Sequence, residues 1–343
     1  MKKIRILLIG SLPPPVGGTS VSFQHLINEL HKNNEVQISV INTSYYKHWT
    51  SYIALIYTIS IAISKVDVVS LHVSSTSLPL FGMIVLLISR MQRKPFIVRK
   101  FGGVDIHTFS NIKRKLGLWV LKKSNLYLAQ TKELVETANL SGIKNVHWYP
   151  TSRPNNNIIK RKRQESVKCN KFVYLGAIRS EKGIYEIIKA GSKFEESKVT
   201  IDFYGNTDYD ISIDELQNLK NIFYKGNYNP ENVYQILHKY DVLVLPSYYH
   251  GEGYPGVIIE AFQMGLPVIC TNWKALPELV NENCGILIEP QNYQKLYEAM
   301  RTFMMNDNYY RKLYIGAKER GQYFSSEVWA AKFIKYCQSL ITE

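Results

Sequence analysis

Two glutamates, Glu252 and Glu260, stand eight residues apart on either side of a turn that contains Gly253, Pro255 and Gly256. An ionised carboxylate only accepts hydrogen bonds, so each glutamate could bind the hydroxyl groups of a sugar or a ribose. The turn predicts the start of a helix, where unpaired N–H groups and the positive end of the helix dipole attract a phosphate. These residue types in this order predict a site for a phosphate ester that carries hydroxyl groups, as a nucleotide sugar does.

Hydropathy predicts the two elements that hold this pair. Residues 241–247 read Asp-Val-Leu-Val-Leu-Pro-Ser, an apolar and β-branched run that is typical of a buried parallel strand. The apolar run after Gly256 predicts a helix. Glu252 would then lie in the loop between the strand and the helix, and Glu260 about one turn inside the helix.

A second loop with charged residues, 174–183, follows the first predicted strand of the second half of the chain. Its Arg179 and Lys182 could reach a diphosphate and neutralise the charge that develops as the leaving group departs. A lysine is also common at an ordinary solvated helix start, so this loop alone does not decide between the two interpretations. Its pairing with the glutamate loop favours a role in binding.

Two further motifs resemble known sites and are rejected. Residues 251–256 match the glycine pattern G-x-G-x-x-G of dinucleotide-binding loops, but the next strand ends at Asn272 without the acid that such a site needs. Asp208-Tyr-Asp210 matches a D-x-D metal-binding pattern but lies in a polar loop, where a solvated turn is expected. We therefore expect no nicotinamide cofactor and no bound metal.

The whole chain alternates apolar strands with helical stretches, which predicts parallel-sheet α/β domains. Strands are predicted near residues 4–9, 36–41, 66–72, 95–99, 125–129, 145–149, 171–176, 199–204, 222–225, 241–245 and 267–270. Residues 151–170, rich in Pro, Asn, Lys and Arg, predict a linker between a first domain at 1–150 and a second at 171–325, with an amphipathic helix at 326–343. We expect the two domains to face a cleft, with ligands at the carboxyl ends of the strands.

Charge is unevenly distributed along the 343 residues, whose formal net charge is +14. Residues 1–160 hold 20 Lys and Arg against 6 Asp and Glu, whereas the remaining residues hold 22 of each kind. This bias predicts an anionic partner for the first half. The basic residues cluster at Arg93-Lys94, Arg99-Lys100, Lys113-Arg114-Lys115 and Lys122-Lys123. Because no helix-turn-helix, zinc-finger or RNA-binding signature accompanies them, an anionic lipid surface is favoured and nucleic acid is not.

Three stretches of the first half bear on membrane contact. Residues 113–123, around Trp119, predict an amphipathic helix that could lie at a membrane interface, and a solvated helix with its apolar stripe on the core fits equally well. Residues 51–63 and 78–88 are strongly apolar but shorter than the roughly 20 residues that span a bilayer. We expect buried helices there, with partial contact with a membrane surface as the alternative.

Cysteine usage and the N-terminal residues indicate the compartment. The four cysteines are scattered without a Cys-x-x-Cys pair, which argues against a zinc site and a disulfide framework and fits a reducing compartment. The apolar run at 4–10 is too short for a signal peptide and predicts a first strand. We expect a cytoplasmic protein that is peripheral on the inner face of the cell membrane.

The chain resembles the GT-B glycosyltransferases of family four in two segments, residues 176–183 and, above all, residues 250–278, which begin His-Gly-Glu-Gly-Tyr-Pro-Gly-Val-Ile-Ile-Glu-Ala-Phe. The match is strong over 170–290 and weaker over the rest of the chain. The glutamate spacing combined with Pro255 and Gly265-x-Pro267 is specific in this context. The resemblance implies two Rossmann-like domains, a C-terminal helix that crosses back to the first domain, and retaining, metal-independent transfer from a nucleotide-diphosphate sugar.

The resemblance assigns roles to individual residues of the second half. Glu260 would hold the ribose hydroxyls, and Glu252 would contact the hydroxyls of the donor sugar. The backbone at Gly256 and Val257 would meet the diphosphate, which Lys182 would neutralise. The donor-binding set implied in this way is Gly253, Tyr254, Pro255, Gly256, Val257 and Glu260, together with Gly17 and Gly18 from the first half of the chain.

One position of the second half departs from the family pattern. The family usually has an arginine directly after the glycine that corresponds to Gly176, and this chain has Ala177 there. Arg179, two residues further on, is the candidate replacement. We expect it to take the catalytic role that the arginine has in the family.

In the first half the resemblance implies an acceptor side. Gly17-Gly18 follows the first strand as the family's glycine loop does, and its backbone could approach the diphosphate or the acceptor. Asp105 stands where an acceptor-side acid is expected, and many relatives have a histidine where this chain has Phe101-Gly102. A histidine at a strand end is more often structural than catalytic. The remaining acceptor-side candidates are His72, Lys100 and His107.

These expectations lead to a hypothesis and two alternatives. The hypothesis is a retaining glycosyltransferase that moves a sugar from a nucleotide sugar, with UDP favoured, to a lipid-linked or polysaccharide acceptor in the synthesis of a capsule, exopolysaccharide or O-antigen. The first alternative is a nucleotide-sugar epimerase or hydrolase on the same fold, which would form product without an acceptor. The second is a non-catalytic module that binds a nucleotide sugar or anionic lipid.

Overall fold

The computed structural model describes residues 3–46, 49–104, 106–155, 169–194, 198–207, 211 and 220–342. The chain divides into two compact units. The first unit comprises Met1–Pro154 together with Ser325–Glu343, and the second comprises Asn155–Phe324.

Each unit is built on one parallel sheet, with six strands in the described part of the chain. The strands of the first unit are β1 Ile4–Gly10, β2 Val36–Asn42, β3 Val68–Ser74, β4 Phe96–Phe101, β5 Leu126–Ala129 and β6 Val146–Trp148. Those of the second unit are β7 Lys171–Leu175, β8 Thr200–Tyr204, β9 Ile222–Tyr224, β10 Val242–Leu245, β11 Val268–Thr271 and β12 Gly285–Ile288. Most are runs of apolar residues because helices cover both faces of a parallel sheet.

Helices occupy most of the connections between these strands. In chain order they are α1 Gly18–His31, α2 Trp49–Ser64, α3 Leu78–Met91, α4 Asn111–Lys123, α5 Lys132–Leu140, α6 Ile184–Ser192, α7 Val233–Leu237, α8 Gly256–Gln263, α9 Leu276–Leu279, α10 Tyr293–Met305, α11 Asp307–Tyr323 and α12 Ser326–Thr342. Strand–helix alternation in both units confirms the predicted α/β fold class.

The strand order brings particular loops together in each sheet. The first sheet has the order β2-β1-β3-β4-β5-β6, and the second has the order β12-β11-β10-β7-β8-β9. The direction of winding therefore reverses between β1 and β3 in the first unit, and between β7 and β10 in the second. In an open parallel sheet, ligands bind outside the carboxyl ends of the strands at such a reversal. The loops after β1, β3, β7 and β10 are thus the places to look for a site.

The first unit has a hydrophobic core on each face of its sheet. Helices α2 to α5 pack on one face through residues such as Leu55, Val85 and Val120. Helices α1 and α12 pack on the other face through residues such as Phe23 and Phe333. The C-terminal helix therefore returns to the first unit, as predicted.

Helix α12 is held on the first unit by an apolar stripe and by a buried hydrogen bond. Trp329, Phe333 and Cys337 recur every four residues and are buried, which places them on one face of the helix. Tyr149 directly follows β6, and its hydroxyl donates to the carbonyl oxygen of Trp329 at 2.7 Å. Burial and hydrogen bonding together fix the helix on the sheet.

Several expectations about surface and interior are corrected by the structure. Helices α2 and α3 cover the core with one side only, and Tyr57 and Leu80 in the two predicted stretches are 69% and 65% exposed, so neither stretch is buried on all sides. Arg99 and Lys100 on β4 are 2% and 1% exposed, so they do not belong to the basic surface. No helix in the described ranges is both long enough and apolar enough to cross a membrane.

Candidate functional site

The two loops that hold the predicted donor-binding residues follow β7 and β10, the neighbouring strands at which the second sheet reverses. The N–H of Tyr248 donates to the carbonyl oxygen of Glu181 at 2.8 Å, which joins the loops. Gly183 has a φ of +78°, and a Cβ at this position would lie 2.3 Å from the carbonyl oxygen of Pro246. A glycine is therefore required for the loops to approach this closely.

Lys182 and Glu252 meet where these loops touch. The Nζ of Lys182 donates to Oε2 of Glu252 at 2.7 Å, and their side chains are 18% and 8% exposed. The hydroxyl of the buried Ser247 donates to the same carboxylate oxygen. Lys182 also lies over the ring of Tyr249, 4.6 Å from its centroid. Two donors fix the carboxylate, and a carboxylate and an aromatic face fix the ammonium.

Glu252 keeps one oxygen for a ligand. Both hydrogen bonds of its side chain go to Oε2, and no side chain within the described ranges donates to Oε1. The residue itself is 6% exposed, so its position is set by the protein. An oriented carboxylate oxygen of this kind can accept a hydrogen bond from a sugar hydroxyl.

Helix α8 begins at Gly256, four residues after Glu252, and provides the predicted anion-binding end. Its N-cap is Pro255, which has no side-chain acceptor for the first-turn N–H groups. The N–H groups of Gly256 and Val257 lie in this first turn, and both residues are half-buried. Such an end favours a phosphate. Glu260 lies one turn further along α8 and is 9% exposed.

Tyr254 and Gly253 shape the loop ahead of this helix, and both are buried. The hydroxyl of Tyr254 donates to Oε2 of Glu278 at 2.5 Å, and its ring packs against Phe324. The side chain of Tyr254 thus ties the loop to α9, so any direct contribution to a ligand falls to its backbone.

The side chain of the buried residue Tyr174 stabilises the loop after β7. Tyr174 donates through its hydroxyl to the carbonyl oxygen of Ala177 at 2.6 Å. Burial raises the pKa of Tyr174 well above its ordinary value of 10.0, so the phenol stays neutral and remains a donor. Arg179 follows in extended conformation at the start of the 3-10 turn Ser180–Lys182, and it is exposed.

In the first unit, the candidates Gly17, Gly18 and His72 lie at the other sheet reversal, after β1 and at β3. All three line a cavity of about 770 Å³. His72 is 2% exposed, and its Nε2 lies 3.0 Å from the hydroxyl of Ser70. Its Nδ1 has no hydrogen-bond partner within the described residues. Burial first, and then Arg99, hold the pKa of His72 well below its ordinary value of 6.5, so the ring is neutral.

The structure gives less information on the remaining predicted residues. Lys100 is buried, and its Nζ lies 3.4 Å from the carbonyl oxygen of Gly102. His107 belongs to the 3-10 turn Ile106–Thr108. Asp105 and the segment 208–210 lie outside the described residues. Within the ranges that the structure describes, no three His, Cys, Asp or Glu side chains are grouped so as to hold a metal ion.

Two residues of the second site were not predicted from the sequence. Ser247 bonds to the carboxylate of Glu252, and Tyr249 supports the ammonium of Lys182. Both follow β10 within four residues of its end, and polar or aromatic side chains at that position of a parallel sheet are a usable signal.

Residues 155–320 match the family model of the glycosyl transferases group 1. TuaC of Bacillus subtilis, a protein assigned to teichuronic acid biosynthesis, is 32% identical over 131 residues, which cover 38% of this chain and 32% of TuaC. The capsular polysaccharide biosynthesis glycosyltransferase CapM of Staphylococcus aureus is 25% identical over 281 residues, covering 73% of this chain and 72% of CapM. The chain thus spans about a third of TuaC and most of CapM.

Solved structures share the fold over the full length. HepE of Anabaena in complex with UDP superimposes with a TM-score of 0.79 at 14% identity, covering 98% of this chain and all of the HepE chain. HepE in complex with UDP-glucose superimposes with a TM-score of 0.74, also at 14% identity, covering 97% of this chain and 99% of the HepE chain. Since the family model covers the loops of Lys182 and Glu252, the second unit of this chain is similar to the glycosyl transferases group 1, and the chain has the GT-B fold.

Proposed function

We propose that this protein is a retaining glycosyltransferase that takes a sugar from a nucleotide-diphosphate sugar, preferably a UDP-sugar. Its acceptor is a lipid-linked or polysaccharide intermediate of a surface glycan. The observation that carries the proposal is the cluster of Lys182, Glu252 and Ser247 at the reversal of the second sheet, beside the open N-terminus of α8. A cation, an oriented carboxylate and a helix start together match the diphosphate and hydroxyl groups of such a donor.

The donor would lie along the loops after β7 and β10. Its diphosphate meets the N–H groups of Gly256 and Val257 and the ammonium of Lys182. The free Oε1 of Glu252 accepts from a hydroxyl of the donor sugar, and Glu260 accepts from the ribose. In this arrangement Glu252 orients the sugar and is not a covalent nucleophile.

Transfer would proceed by attack on the anomeric carbon from the face on which the diphosphate leaves. The bond from that carbon to the phosphate oxygen breaks while the bond to the acceptor oxygen forms, and the proton of the acceptor hydroxyl passes to the departing phosphate oxygen. Attack and departure on the same face retain the configuration. The negative charge that develops on the diphosphate is stabilised by Lys182 and by the helix N-terminus, both already in position before the reaction. Arg179, which is exposed in the same loop as Lys182, is a second candidate for stabilising this charge. We propose that these groups take the place of a metal ion.

The relatives support the donor and the reaction class. HepE binds UDP and UDP-glucose, CapM is assigned to capsular polysaccharide biosynthesis, and TuaC to teichuronic acid biosynthesis. The roles printed for CapM and TuaC support a place in glycan synthesis for this chain, and the ligands of HepE support a UDP-sugar donor. Of the two alternatives, an epimerase or hydrolase would act without an acceptor, and a binding module would show no turnover.

The first unit is proposed to dock on an anionic membrane at the cytoplasmic side. Helices α2, α3 and α4 contain no Asp or Glu, and they pack side by side in that order. Their outward sides form what we call the α2–α4 face, with the exposed apolar residues Ile53, Tyr57, Ile61, Leu87, Met91, Ile112 and Trp119. Its exposed basic residues are Arg90, Lys113, Lys115, Lys122 and Lys123. Apolar side chains among cations, without acids, suit a surface of anionic lipid.

Calorimetric titration with UDP-, GDP- and ADP-sugars tests the donor site. We expect a UDP-sugar to bind, and the Lys182→Ala variant to bind it about tenfold more weakly. Lys189→Ala on α6 removes an exposed lysine of the same region and should bind as the wild type does. If no nucleotide sugar binds the wild-type protein, the proposed function is wrong. If a bound UDP-sugar is converted without any acceptor, the epimerase or hydrolase replaces it.

A further inference from the structure

One short segment of the second unit is hydrogen-bonded along its length to the loop after β10. The segment is residues 271–278, which run from the end of β11 into α9, and we call it the supporting segment. Since β11 pairs with β10, the two loops leave adjacent strand ends. The contacts are the hydroxyl of Thr271 to the carbonyl oxygen of Ser247, the indole N–H of Trp273 to the carbonyl oxygen of Tyr249 at 2.9 Å, and the hydroxyl of Tyr254 to the carboxylate of Glu278 at 2.5 Å. The path of the loop from β10 to α8 therefore depends on the supporting segment.

The indole of Trp273 binds the loop at a turn. The carbonyl oxygen of Tyr249 also accepts from the N–H of Glu252 at 3.1 Å, which closes a turn over residues 249–252. A carbonyl oxygen has two lone pairs, so the two donors can bind at once. The turn begins at the residue whose ring faces the ammonium of Lys182, and it ends at the residue whose carboxylate binds that ammonium. One indole N–H therefore supports two groups that hold Lys182.

The supporting segment is itself fixed at both ends. Thr271 is fully buried at the end of β11. At the other end, the guanidinium of Arg320 on α11 donates to the carbonyl oxygens of Glu278 and Leu279 at 2.5 and 3.0 Å. A site is held precisely when the residues that orient it are themselves locked by packing and hydrogen bonds. The supporting segment meets this condition.

We propose that Trp273 is a positioning residue of the donor site, which acts through the turn 249–252 and does not touch the donor. Its indole N–H keeps the ring of Tyr249 and the carboxylate of Glu252 in place, and these two groups hold the ammonium of Lys182 towards the diphosphate. This inference rests on the proposed function and adds to it a residue that lies outside the loops after β7 and β10.

Packing alone is the competing explanation for Trp273, and UDP binding in two backgrounds distinguishes the two roles. UDP is the probe because it carries the diphosphate and lacks the sugar that Glu252 would contact. Trp273→Phe removes the N–H and keeps an aromatic ring, so calorimetry should show UDP binding weakened about fivefold, the effect of one lost hydrogen bond. In Lys182→Met the ammonium is already absent, and adding Trp273→Phe should change UDP affinity by less than about twofold. An equal loss in both backgrounds would mean that Trp273 only packs, and it would overturn the inference.

Hydrogen exchange tests the same role without a ligand. The backbone N–H groups of Tyr248, Tyr249 and Glu252 are all hydrogen-bonded within the protein. They should exchange faster in Trp273→Phe than in the wild type. The analogue 3-benzothienylalanine at position 273 has sulfur in place of the N–H and keeps the shape of the two rings, so it should fold as the wild type does and give the same increase. Unchanged exchange in this analogue would overturn the inference.

Tyr234→Phe is the matched control. The hydroxyl of Tyr234 donates to Oε1 of Gln263 at 2.5 Å, at the end of α8 opposite to the donor site. The variant also removes one side-chain hydrogen bond of the second unit, and it should leave UDP affinity and the exchange of the turn unchanged.

The two measurements also separate this inference from the proposed function. If the wild type binds UDP and Trp273→Phe binds it equally well, the inference is overturned and the proposed function stands. If the wild type binds no UDP, the proposed donor is wrong, and faster exchange in the analogue would still support the role of Trp273 in holding the turn.

Discussion

The ammonium of Lys182 lies 2.7 Å from Oε2 of Glu252, and this contact connects the loops after the two strands at which the second sheet reverses. Because the carboxylate is already neutralised and held, it needs little rearrangement when a ligand arrives. A diphosphate that approaches the N-terminus of α8 would share the ammonium with Glu252. Such preorganised charge is the main means by which an active site of this kind stabilises a transition state.

Replacing Lys182 by Met should affect both stability and activity. Glu252 would remain buried with Ser247 as its one side-chain donor among the residues that the structure describes, so we expect the free energy of unfolding to fall by about 1–3 kcal/mol. Sugar transfer should fall about 100-fold or more, because one stabilising charge is lost. Urea denaturation and initial rates at saturating donor measure the two effects.

A double variant separates the two contributions of Lys182. Adding Glu252→Gln to Lys182→Met removes the uncompensated charge and should restore much of the lost stability. It should not restore transfer, since neither the cation nor the carboxylate is present. Full activity in either variant would show that this ion pair is not part of the active site.

Gly183→Ala should separate the loops that this glycine allows to touch. The new Cβ would lie 2.3 Å from the carbonyl oxygen of Pro246, and the residue would keep a φ of +78°. Gly226→Ala is the matched control, because Gly226 has a φ of +81° and a Cβ added there would have no atom within 4 Å. We expect the control to cost about 1–2 kcal/mol for its backbone conformation, and Gly183→Ala to cost clearly more and to weaken UDP binding. Equal losses of stability would contradict the close-contact role of Gly183.

Most of the fold could be predicted from hydropathy, because strands buried on both faces are apolar throughout. The exception is β12, Gly285–Ile288, which the sequence did not indicate. It is an edge strand of four residues that begins with glycine, and it forms only by pairing with β11. Short edge strands of this kind depend on tertiary pairing more than on local composition.

Arg99 shows why the basic surface was overestimated from sequence. Its guanidinium lies 4.5 Å from the centroids of both the Phe101 and the Tyr149 rings, and it is 2% exposed. Burial lowers the pKa of Arg99 to about 10, which leaves it charged at neutral pH. Tyr149 is far away in sequence and reaches Arg99 only once β4 to β6 have assembled. A count of charges along the chain carries no information about such stacking.

The candidate site also has one part that could be predicted from the sequence and one part that could not. Glu252, Glu260 and the start of α8 could be predicted because they lie within one strand–loop–helix segment. The partners Ser247 and Tyr249 depend on how the loop after β10 turns back on the loop of Lys182. The cavity lined by Gly17, Gly18 and His72 could not be predicted, because residues of α2 and α3 complete it and the pairing of these helices is not evident from the sequence.

Acid should destabilise the protein partly through His72. Its folded-state pKa lies well below 6.5 because the ring is buried, with Arg99 adding a smaller repulsion. As pH falls below about 6.5, the unfolded chain binds a proton at this residue and the folded protein does not, so stability falls with pH. The contribution is at most about 1.4 kcal/mol per pH unit.

The variant His72→Asn should reduce this pH dependence. Besides Arg99, the groups that face the ring within the described residues are the hydroxyl of Ser70 and the aromatic rings of Phe23, Phe101 and Phe333, none of which titrates in this range. Urea midpoints at pH 7.5 and 5.5 should therefore differ less in the variant than in the wild type, whatever the absolute stability of each. The same difference in both proteins would mean that His72 takes up its proton in the folded state.

Leu87→Glu should release the first unit from anionic vesicles while leaving its fold intact. Leu87 is 45% exposed on the α2–α4 face, so a carboxylate there would meet both apolar lipid and anionic head groups. We expect co-sedimentation of the wild type with phosphatidylglycerol vesicles to weaken as salt is raised, and the variant to bind weakly at every salt concentration. Ile315→Glu on α11 introduces the same charge at an exposed apolar residue of the second unit, and it should sediment like the wild type. Vesicle binding that ignores salt, or that survives Leu87→Glu undiminished, would refute this face as the membrane contact.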